Sequence, residues 1–361
     1  MKVLIVGDWS SDLYEKAFFD SFNSIDIYVD KFSWIEYFKY YQYPALNKCN
    51  NNKILSFYYR FQNRFSIGPA INKINNDLID KSLLNNYDLI FIYRGVHIYP
   101  TTIKKLKKFG AVVFGYNNDD PFAPFYPFYF WRHFKKGLKY YDHVFSYRQK
   151  NIQEYLNSDV KSVSLLRSYY IKEKNYPIVT NGHNEEVEVV FIGHFENDGR
   201  DEIILGLHNS GIKIKVYGTN WNKSCFYNQL VKFNGDIVPI YNEKYNEVLN
   251  KSDISLVFLS KINNDTYTRR VFEIPITKTV MVCERNDDIQ NLFNDKKEII
   301  LFDSKDDCIR KVNELVRNRD ELESIKLNSY NRLINDGHEV VDRVRVIIST
   351  YNKIKYGDIK K

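Results

Sequence analysis

Residues 262–285 read INNDTYTRRVFEIPITKTVMVCER, and the interpretation of the rest of the chain starts from them. A polar loop leads to Arg269 and Arg270, which stand three to four residues before Glu273, and the apolar run 280–283 follows. The pattern predicts a loop, a short helix that carries two cations and one carboxylate, and a buried strand. Because residues three or four apart share one face of a helix, we expect an arginine to lie beside Glu273.

This arginine–glutamate cluster has two interpretations on spacing alone. It suits a nucleotide, because a helix start offers free N–H donors, an arginine fork matches phosphate oxygens, and a carboxylate can accept both hydroxyls of a ribose. On spacing alone the favoured interpretation is an ion pair on the surface of a helix that binds no ligand. Pro275 lies inside the predicted helix, where it removes a hydrogen bond and is expected to kink or end it.

Length and composition limit the class of protein. A chain of 361 residues is long enough for two domains, and it contains no apolar run of the roughly 18 residues that span a membrane. The four cysteines are widely spaced, so we predict neither a zinc site nor a disulfide framework, and a reduced cytoplasmic compartment. A net charge of +7 suits a nucleotide, a phosphorylated acceptor or an anionic membrane surface, and 45 acidic against 52 basic residues argue against an overwhelming DNA-binding face.

Strand and helix patterns alternate over residues 1–172, which predicts a Rossmann-like first domain without a G-x-G-x-x-G fingerprint. The predicted strands are residues 2–6, 25–29, 87–93, 111–116, 141–147 and 162–166. Asp119 and Asp120 follow one of these strands, and the carboxyl ends of parallel strands face the ligand crevice. The two aspartates therefore belong near a site, or they cap the helix that follows.

An aromatic and basic segment at residues 37–65 also has two interpretations. It contains Tyr40, Tyr41, Tyr43, Tyr58, Tyr59, Arg60 and Arg64. It suits an acceptor-binding or membrane-facing surface, but ordinary helix packing with cations that reach to solvent is the favoured interpretation.

A polar linker at residues 173–186 precedes a second Rossmann-like domain, predicted at residues 187–340, with a C-terminal helix at 341–361. In this domain one strand ends at Gly193, and Arg200 follows in the loop. The strand 214–217 leads to Gly218, and two amphipathic helices are predicted near the end of the domain. We expect the glycine-ended strands to form the ligand edge of this second sheet.

The run Arg270-Val271-Phe272-Glu273-Ile274-Pro275, with Glu284-Arg285 after the strand, resembles the CgeB-like glycosyltransferases of the GT-B fold. The run Asp119-Asp120-Pro121-Phe122 is typical of the same family and resembles the loop of phage DNA β-glucosyltransferases that carries a catalytic aspartate. The resemblance is ordered along nearly the whole chain. It implies an α/β protein of the GT-B fold, with two Rossmann-like domains facing a central cleft. Ile276-Thr277-Lys278 stands where the family has a small-residue turn with glycine.

The resemblance also implies roles for particular residues. Glu273 would hold the ribose of a nucleotide-sugar donor, and Asp265, eight residues earlier, echoes the E-x7-E spacing of the wider GT-B group. Asp119 would be the catalytic base, with Asp120 the second candidate. The other predicted donor-binding residues are Gly193, Arg200, Gly218, Arg269 and Arg270.

The sequence therefore predicts a glycosyltransferase that moves a sugar from a nucleotide-diphosphate donor to an acceptor hydroxyl. The resemblance implies no metal and no cofactor, since cationic side chains neutralise the leaving diphosphate. We rank a saccharide or lipid-linked acceptor in surface or envelope glycan synthesis first, with peripheral contact at the inner face of the membrane, and nucleic acid lower. The alternatives are a catalytically inactive protein that binds a nucleotide or glycan, and a glycosyltransferase acting on DNA or protein.

Overall fold

The computed structural model describes residues 1–38, 53–178, 188–261 and 263–357. The chain divides into two compact units. Unit 1 comprises Met1–Arg167 together with Val340–Lys361, and unit 2 comprises Ser168–Glu339. The C-terminal helix thus returns to the unit that contains the N-terminus. Tyr40, Tyr41, Tyr43, Cys49 and residues 179–186 of the predicted linker lie outside the described residues.

The described part of unit 1 forms a six-stranded parallel sheet in the order β2-β1-β3-β4-β5-β6. Its strands are β1 (Lys2–Gly7), β2 (Tyr28–Ser33), β3 (Leu89–Tyr93), β4 (Val112–Asn117), β5 (His143–Ser146) and β6 (Val163–Leu165). Its helices are α1 (Glu15–Asn23), α2 (Lys53–Phe65), α3 (Pro69–Asn85), α4 (Pro100–Lys108), α5 (Arg132–Gly137), α6 (Asn151–Leu156) and, at the C-terminus, α14 (Val340–Tyr356). Short 3-10 turns lie at Ile35–Phe38 and Leu138–Tyr140.

The central strands of unit 1 are continuous apolar runs because helices cover both faces of a parallel sheet. All five residues of β3 are buried, and β1 pairs with it in the register Val3 to Leu89. The predicted position of β2 was wrong, because the strand begins three residues and ends four residues after the predicted range 25–29. Residues 25–27 are used in the turn that closes α1, where the Ile27 N–H donates to the Phe22 carbonyl and Asp26 has a φ of 60°.

The described part of unit 2 forms a five-stranded parallel sheet in the order β11-β10-β9-β7-β8. Its strands are β7 (Val189–Ile192), β8 (Ile214–Tyr217), β9 (Ile254–Val257), β10 (Val280–Glu284) and β11 (Ile300–Phe302). Its helices are α7 (Arg200–Asn209), α8 (Tyr227–Asn234), α9 (Asn242–Asn250), α10 (Arg270–Ile276), α11 (Asp287–Gln290), α12 (Lys305–Arg317) and α13 (Arg319–Asn335), with a 3-10 turn at Trp221–Lys223. As predicted, α10 is short and ends one residue after Pro275.

The two sheets have the same strand order, in which the first strand of the unit lies between the second and third. In unit 1 the strands β1 and β3 are neighbours, and in unit 2 the strands β7 and β9 are neighbours. At such a point the connections leave the sheet in opposite directions, and a crevice opens beyond the carboxyl ends of the two strands. The topology therefore places one ligand crevice in each unit.

The ends of β7 and β8 approach so closely that Gly218 must be glycine. A β-carbon on Gly218 would lie 1.9 Å from the carbonyl oxygen of Gly193, and Gly218 has a φ of +146°. That same carbonyl accepts a hydrogen bond from the buried indole of Trp221 at 3.0 Å. Backbone rather than side chains therefore lines this edge of the unit 2 sheet.

We expect Gly218→Ala to lower the free energy of unfolding by roughly 3 kcal/mol, because its methyl group collides with backbone that is itself hydrogen-bonded. Gly211→Ala is the matched control, since Gly211 also has a positive φ, +93°, but nothing lies within 4 Å of an added β-carbon. The free energy of unfolding of Gly211→Ala should fall by only roughly 1–2 kcal/mol, the cost of placing alanine at a positive φ. Urea unfolding of both variants checks the difference, and equal losses would contradict the close approach.

Candidate active site

The crevice of unit 1 contains one arginine between two aspartates. Arg94 follows β3, Asp8 follows β1, and Asp119 lies two residues beyond β4. The Arg94 guanidinium lies 3.1 Å from a carboxylate oxygen of Asp119 and 3.7 Å from one of Asp8. Arg94 has a φ of 58°, and a non-glycine residue in this region stores strain that often marks a functional site. The structure thus brings the predicted base Asp119 to the crevice and pairs it with a cation.

The charges of this cluster act on each other strongly. Burial by itself would lower the pKa of Arg94, but the carboxylates of Asp119 and Asp8 outweigh it and raise that pKa above its ordinary value. Burial and the charge of Asp119 also raise the pKa of Tyr126 to about 12. Tyr126 therefore presents a neutral hydroxyl near Asp119 at physiological pH.

Glu15 lies behind this cluster and is almost completely buried. One of its carboxylate oxygens accepts a hydrogen bond from the Asp8 N–H at 3.0 Å, and the other has no partner among the described residues. Gly7 leaves the space for it, since a β-carbon there would lie 2.2 Å from Glu15 Oε1. Burial and the neighbouring charge of Asp8 raise the pKa of Glu15 to about 7.

The raised pKa of Glu15 makes stability fall as pH rises. Between about pH 4.5 and 7 the folded protein holds a proton that the unfolded chain has released, so the free energy of unfolding declines through this window. Glu15→Gln keeps a neutral side chain and should stabilise the protein at pH 8 by roughly 1–3 kcal/mol, with little effect at pH 5.

Urea unfolding at the two pH values tests this prediction. The exposed carboxylate of Glu36 supplies the control Glu36→Gln, which should behave alike at pH 5 and pH 8. A Glu15→Gln variant that is destabilised equally at both pH values would contradict the prediction.

Asp120 has a different environment from its neighbour. Its side chain is only 2% exposed, and one oxygen accepts hydrogen bonds from the Phe122 N–H at 2.9 Å and from the Asn151 amide at 3.0 Å. The other oxygen is 2.9 Å from the ammonium of Lys150. Asp120 therefore holds the loop after β4 against the start of α6, while Asp119 lies toward the crevice. Asp120 does not cap the helix that follows, because α5 begins without a side-chain cap.

In unit 2, Arg270 lies over the glycine that ends β7. Its guanidinium nitrogen would be 3.3 Å from a β-carbon on Gly193, so the missing side chain at Gly193 leaves the space that Arg270 uses. Arg270 is half-buried, and in the described part of the chain no carboxylate forms an ion pair with it. This guanidinium is a donor fork with capacity for an anionic ligand.

Glu273 is held from two sides. Arg269 forms an ion pair with one carboxylate oxygen at 2.6 Å, and the Tyr245 hydroxyl donates to the other at 3.0 Å. Burial and the charge of Glu273 raise the pKa of Tyr245 well above its ordinary value, so the hydroxyl remains a donor. The neighbouring Arg269 thus fixes Glu273, and Arg270 points elsewhere.

The guanidinium of Arg200, a predicted donor-binding residue, is paired inside the protein. Its side chain is 3% exposed and makes a two-pronged contact with Asp198, at 2.7 and 2.6 Å, and a third bond to the carbonyl of His194 at 2.7 Å. The rings of Phe191 and Phe258 lie under it. Because all of these contacts are internal, Arg200 shapes the loop after β7, and a contact with a diphosphate would require this ion pair to open.

A further network ties that loop to the loop after β9. The carboxylate of Glu196 contacts the ring of His194 at 2.7 Å and accepts the N–H of Lys261 at 3.2 Å. Burial opposes ionisation of Glu196, but hydrogen bonds from Ser260 and His194 outweigh it and lower its pKa. Asp265 accepts a hydrogen bond from the Asn263 amide at 2.7 Å within the loop that leads to α10.

A cleft of about 380 Å³ lies beside these loops in unit 2. It is bounded by the loops after β9, β10 and β11 and by the starts of α7 and α12. Glu284 binds the ammonium of Lys261 at 3.0 Å, and Arg285 is paired with Asp295 and Asp303. Both residues of the Glu284-Arg285 pair therefore have partners within the unit.

The sequence interpretation assigned no role to Arg94, Glu15 or Tyr245. Arg94 could have been found, because it follows a buried strand in the same way as Gly193 does. Glu15 and Tyr245 lie on helices, and nothing in the linear pattern shows that they face a strand end. Across the ranges that the structure describes, no group of His, Cys, Asp and Glu side chains could hold a metal ion. Within the same ranges no helix is long and apolar enough to cross a membrane.

Comparisons with known proteins agree with this architecture. Residues 200–349 match the family described as glycosyl transferase-like. No curated protein sequence matches the chain. The structure is similar over 98% of this chain to sucrose-phosphate synthase from Thermosynechococcus elongatus, with a TM-score of 0.67, 11% identity and 99% of that chain covered.

Two further solved structures are similar over nearly the full length. One is HepE from Anabaena in complex with UDP and glucose, with a TM-score of 0.65, 10% identity, and 98% and 100% of the two chains covered. The other is a glycosyltransferase from Rickettsia africae, with a TM-score of 0.66, 11% identity, and 99% of each chain covered. The predicted GT-B fold is confirmed, and residues 200–349, fewer than half of the chain, are similar to the glycosyl transferase-like family.

Proposed function

We propose that this protein transfers a sugar from a uridine diphosphate sugar to an acceptor hydroxyl. The observation that carries the proposal is the Arg270 guanidinium, which lies over the Gly193 backbone at the switch point of unit 2. A planar fork over exposed backbone, without a carboxylate partner in the described part of the chain, suits two phosphate oxygens. Because arginine stays charged at all physiological pH values, it also neutralises the leaving diphosphate, and we infer that no metal is required.

The ribose of the donor would bind at Glu273. A carboxylate has about four lone-pair sites, and Arg269 and Tyr245 use only some of them. The remaining sites can accept both ribose hydroxyls, and the ion pair with Arg269 keeps the carboxylate oriented. Gly218, at the glycine-lined end of β8, and Asp265, in the loop before α10, would line the rest of the donor site.

The uridine base is inferred from similar structures. HepE is described in complex with UDP and with UDP-glucose, and a trehalose-6-phosphate structure from E. coli is described bound with UDP-2-fluoro glucose. Each shares the fold of this chain at about 10% identity, so the nature of the base is a proposal for this protein.

Asp119 is the proposed general base. It would take the proton of the acceptor hydroxyl as the hydroxyl oxygen bonds to the anomeric carbon, while the bond from that carbon to the diphosphate oxygen breaks and UDP leaves. Arg94 orients Asp119 through the 3.1 Å ion pair. Asp120 supports the loop and does not take part in proton transfer.

The family and acceptor are proposed at a finer level. The Arg270-Val271-Phe272-Glu273-Ile274-Pro275 run supports a CgeB-like enzyme. A saccharide or lipid-linked acceptor in surface glycan synthesis suits a chain with a net charge of +7. A cytoplasmic location suits four widely spaced cysteines, which suggest no disulfide framework. Nucleic acid and protein acceptors rank below it.

We expect Arg270→Lys to weaken UDP binding about 10- to 100-fold, because lysine keeps the charge and loses the two-pronged contact. Arg200→Lys is the matched variant, and it should instead reduce stability by roughly 1–3 kcal/mol, because Asp198 loses a buried partner. Titration calorimetry with UDP and thermal unfolding separate the two effects. If Arg200→Lys abolishes UDP binding in a protein of unchanged stability, Arg200 is the diphosphate ligand.

The two aspartates provide a second matched pair. Asp119→Asn should keep the fold and UDP affinity and reduce sugar transfer, or the slower hydrolysis of UDP-glucose, by roughly 10²–10⁴-fold. Asp120→Asn should lower the unfolding temperature, because a buried acceptor loses its charge beside Lys150. Parental turnover by Asp119→Asn would remove it from the chemistry.

A catalytically inactive nucleotide-binding protein is the second candidate, and the Arg94 ion pair favours it, because the carboxylate of Asp119 already has a partner within the unit. Turnover decides between the two. UDP binding without hydrolysis or transfer of any UDP-sugar, in the presence of simple saccharide acceptors, would favour the inactive protein.

A further inference from the structure

Two stretches of unit 1 are basic and contain no acidic residue. Residues 53–76 contain Lys53, Arg60, Arg64 and Lys73, and residues 121–141 contain Arg132, Lys135, Lys136 and Lys139. Together these eight cations exceed the net charge of +7 of the whole chain. Both stretches are therefore strongly basic.

The two stretches pack against each other. The ring of Phe65, at the end of α2, lies 4.7 Å from the ring of Phe61 and 4.7 Å from that of Tyr129. Arg64 donates a hydrogen bond to the Tyr129 hydroxyl at 3.2 Å, and Arg132 donates to the carbonyl of Phe65 at 2.6 Å. The end of α2 and the loop after β4 thus form one continuous surface.

Large apolar side chains on this surface face solvent. Phe128 is 92% exposed, Phe57 is 70% exposed and Phe125 is 64% exposed. Phe125 and Phe128 lie in the run PFAPFYPFYFW, residues 121–131, which contains no charged side chain. We call Phe57, Phe61, Phe125, Phe128 and Tyr129 the aromatic patch. Ring contacts join Phe61 and Tyr129 through Phe65, and Tyr129 to Phe128, and exposed apolar surface of this kind marks an interaction site.

Helix α2 has the character of a helix that lies on a surface. Of its thirteen residues only Gln62 is buried. Ile54, Phe57 and Phe61 recur at spacings of three and four and therefore lie along one face, with Lys53 and Arg64 at the two ends. Apolar side chains on one face with cations beside them are the composition of helices that lie in a membrane interface.

We infer that the aromatic patch and its cations dock unit 1 on an anionic lipid surface. The cations would attract acidic headgroups, while the phenylalanines enter the boundary between headgroups and acyl chains. Nucleic acid suits the surface less well. Single strands are bound by cations that contact the phosphates and alternate with aromatic side chains that stack on the bases, whereas residues 121–131 contain no cation. An exposed aliphatic side chain such as Ile54 also gains nothing from contact with nucleic acid.

This inference rests on the proposed function, because it selects a lipid-linked acceptor. The loop that carries Phe125 and Phe128 begins directly after Asp119 and Asp120. A membrane-bound patch would therefore hold the proposed base close to the headgroup layer, where the hydroxyl of a lipid-linked saccharide lies.

Sedimentation of the full-length protein with vesicles tests the inference. We expect binding to vesicles of phosphatidylcholine with about one-third phosphatidylglycerol to exceed binding to phosphatidylcholine alone by roughly tenfold or more, and to weaken with salt. The double variant Phe125→Ser with Phe128→Ser and the double variant Lys53→Gln with Arg64→Gln should each reduce partitioning about tenfold. Leu84→Ser is the control, because Leu84 is 81% exposed and lies on α3 outside the aromatic patch; its binding should equal that of the parent.

The outcomes separate this inference from the proposed function. UDP binding measured in the same preparations should be unchanged in both double variants. Absence of vesicle binding by a parent protein that binds UDP would overturn the lipid inference alone. Vesicle binding that Leu84→Ser reduces as much as the phenylalanine variants do would overturn the assignment to the aromatic patch. Tight binding of single-stranded RNA, lost in the same double variants and without vesicle binding, would replace the lipid by nucleic acid.

Discussion

The strand order is the constraint on which the candidate site depends. In each unit the first strand lies between the second and the third, so the connections on its two sides leave in opposite directions and cannot cover its carboxyl end. Whatever follows β1 and β3, or β7 and β9, is therefore presented to a crevice. Asp8 and Arg94 in unit 1, and Gly193 in unit 2, occupy these positions, which explains why residues far apart in the sequence meet there.

In each crevice, residues whose charges are fully paired inside the protein support the structure, and the more exposed residues can contact a ligand. Asp120 and Arg200 are almost fully buried, and their strong contacts all lie inside the protein. A buried charged group is stable only when it is paired and hydrogen-bonded, so these contacts support the fold. Asp119 and Arg270 are less buried and face the crevice. Two acidic neighbours in the sequence thus have different roles, and so do two arginines seventy residues apart.

Glu15 illustrates how the fold prepares the crevice from behind. Gly7 ends β1 without a side chain, the Glu15 carboxyl fills that space, and the Asp8 N–H is held by it. The cost is a carboxyl whose pKa is raised to about 7 by burial and by the charge of Asp8. Natural proteins commonly accept destabilising groups of this kind beside functional sites, where local rules of burial are broken.

The sequence by itself determined the fold class, most of the strands and the position of the residues that follow them, because buried parallel strands are continuous apolar runs and their ends are marked by glycine or charge. It also determined that α10 is short, through Pro275. Only the tertiary structure decided that Arg269 pairs with Glu273, and that Arg270 lies over Gly193. It also decided that Asp198 forms an ion pair with Arg200, and that the Tyr245 hydroxyl donates to Glu273. The physical reason is that apolar periodicity is local, whereas the partner of a charged side chain is chosen among all the groups that the fold brings within hydrogen-bond distance.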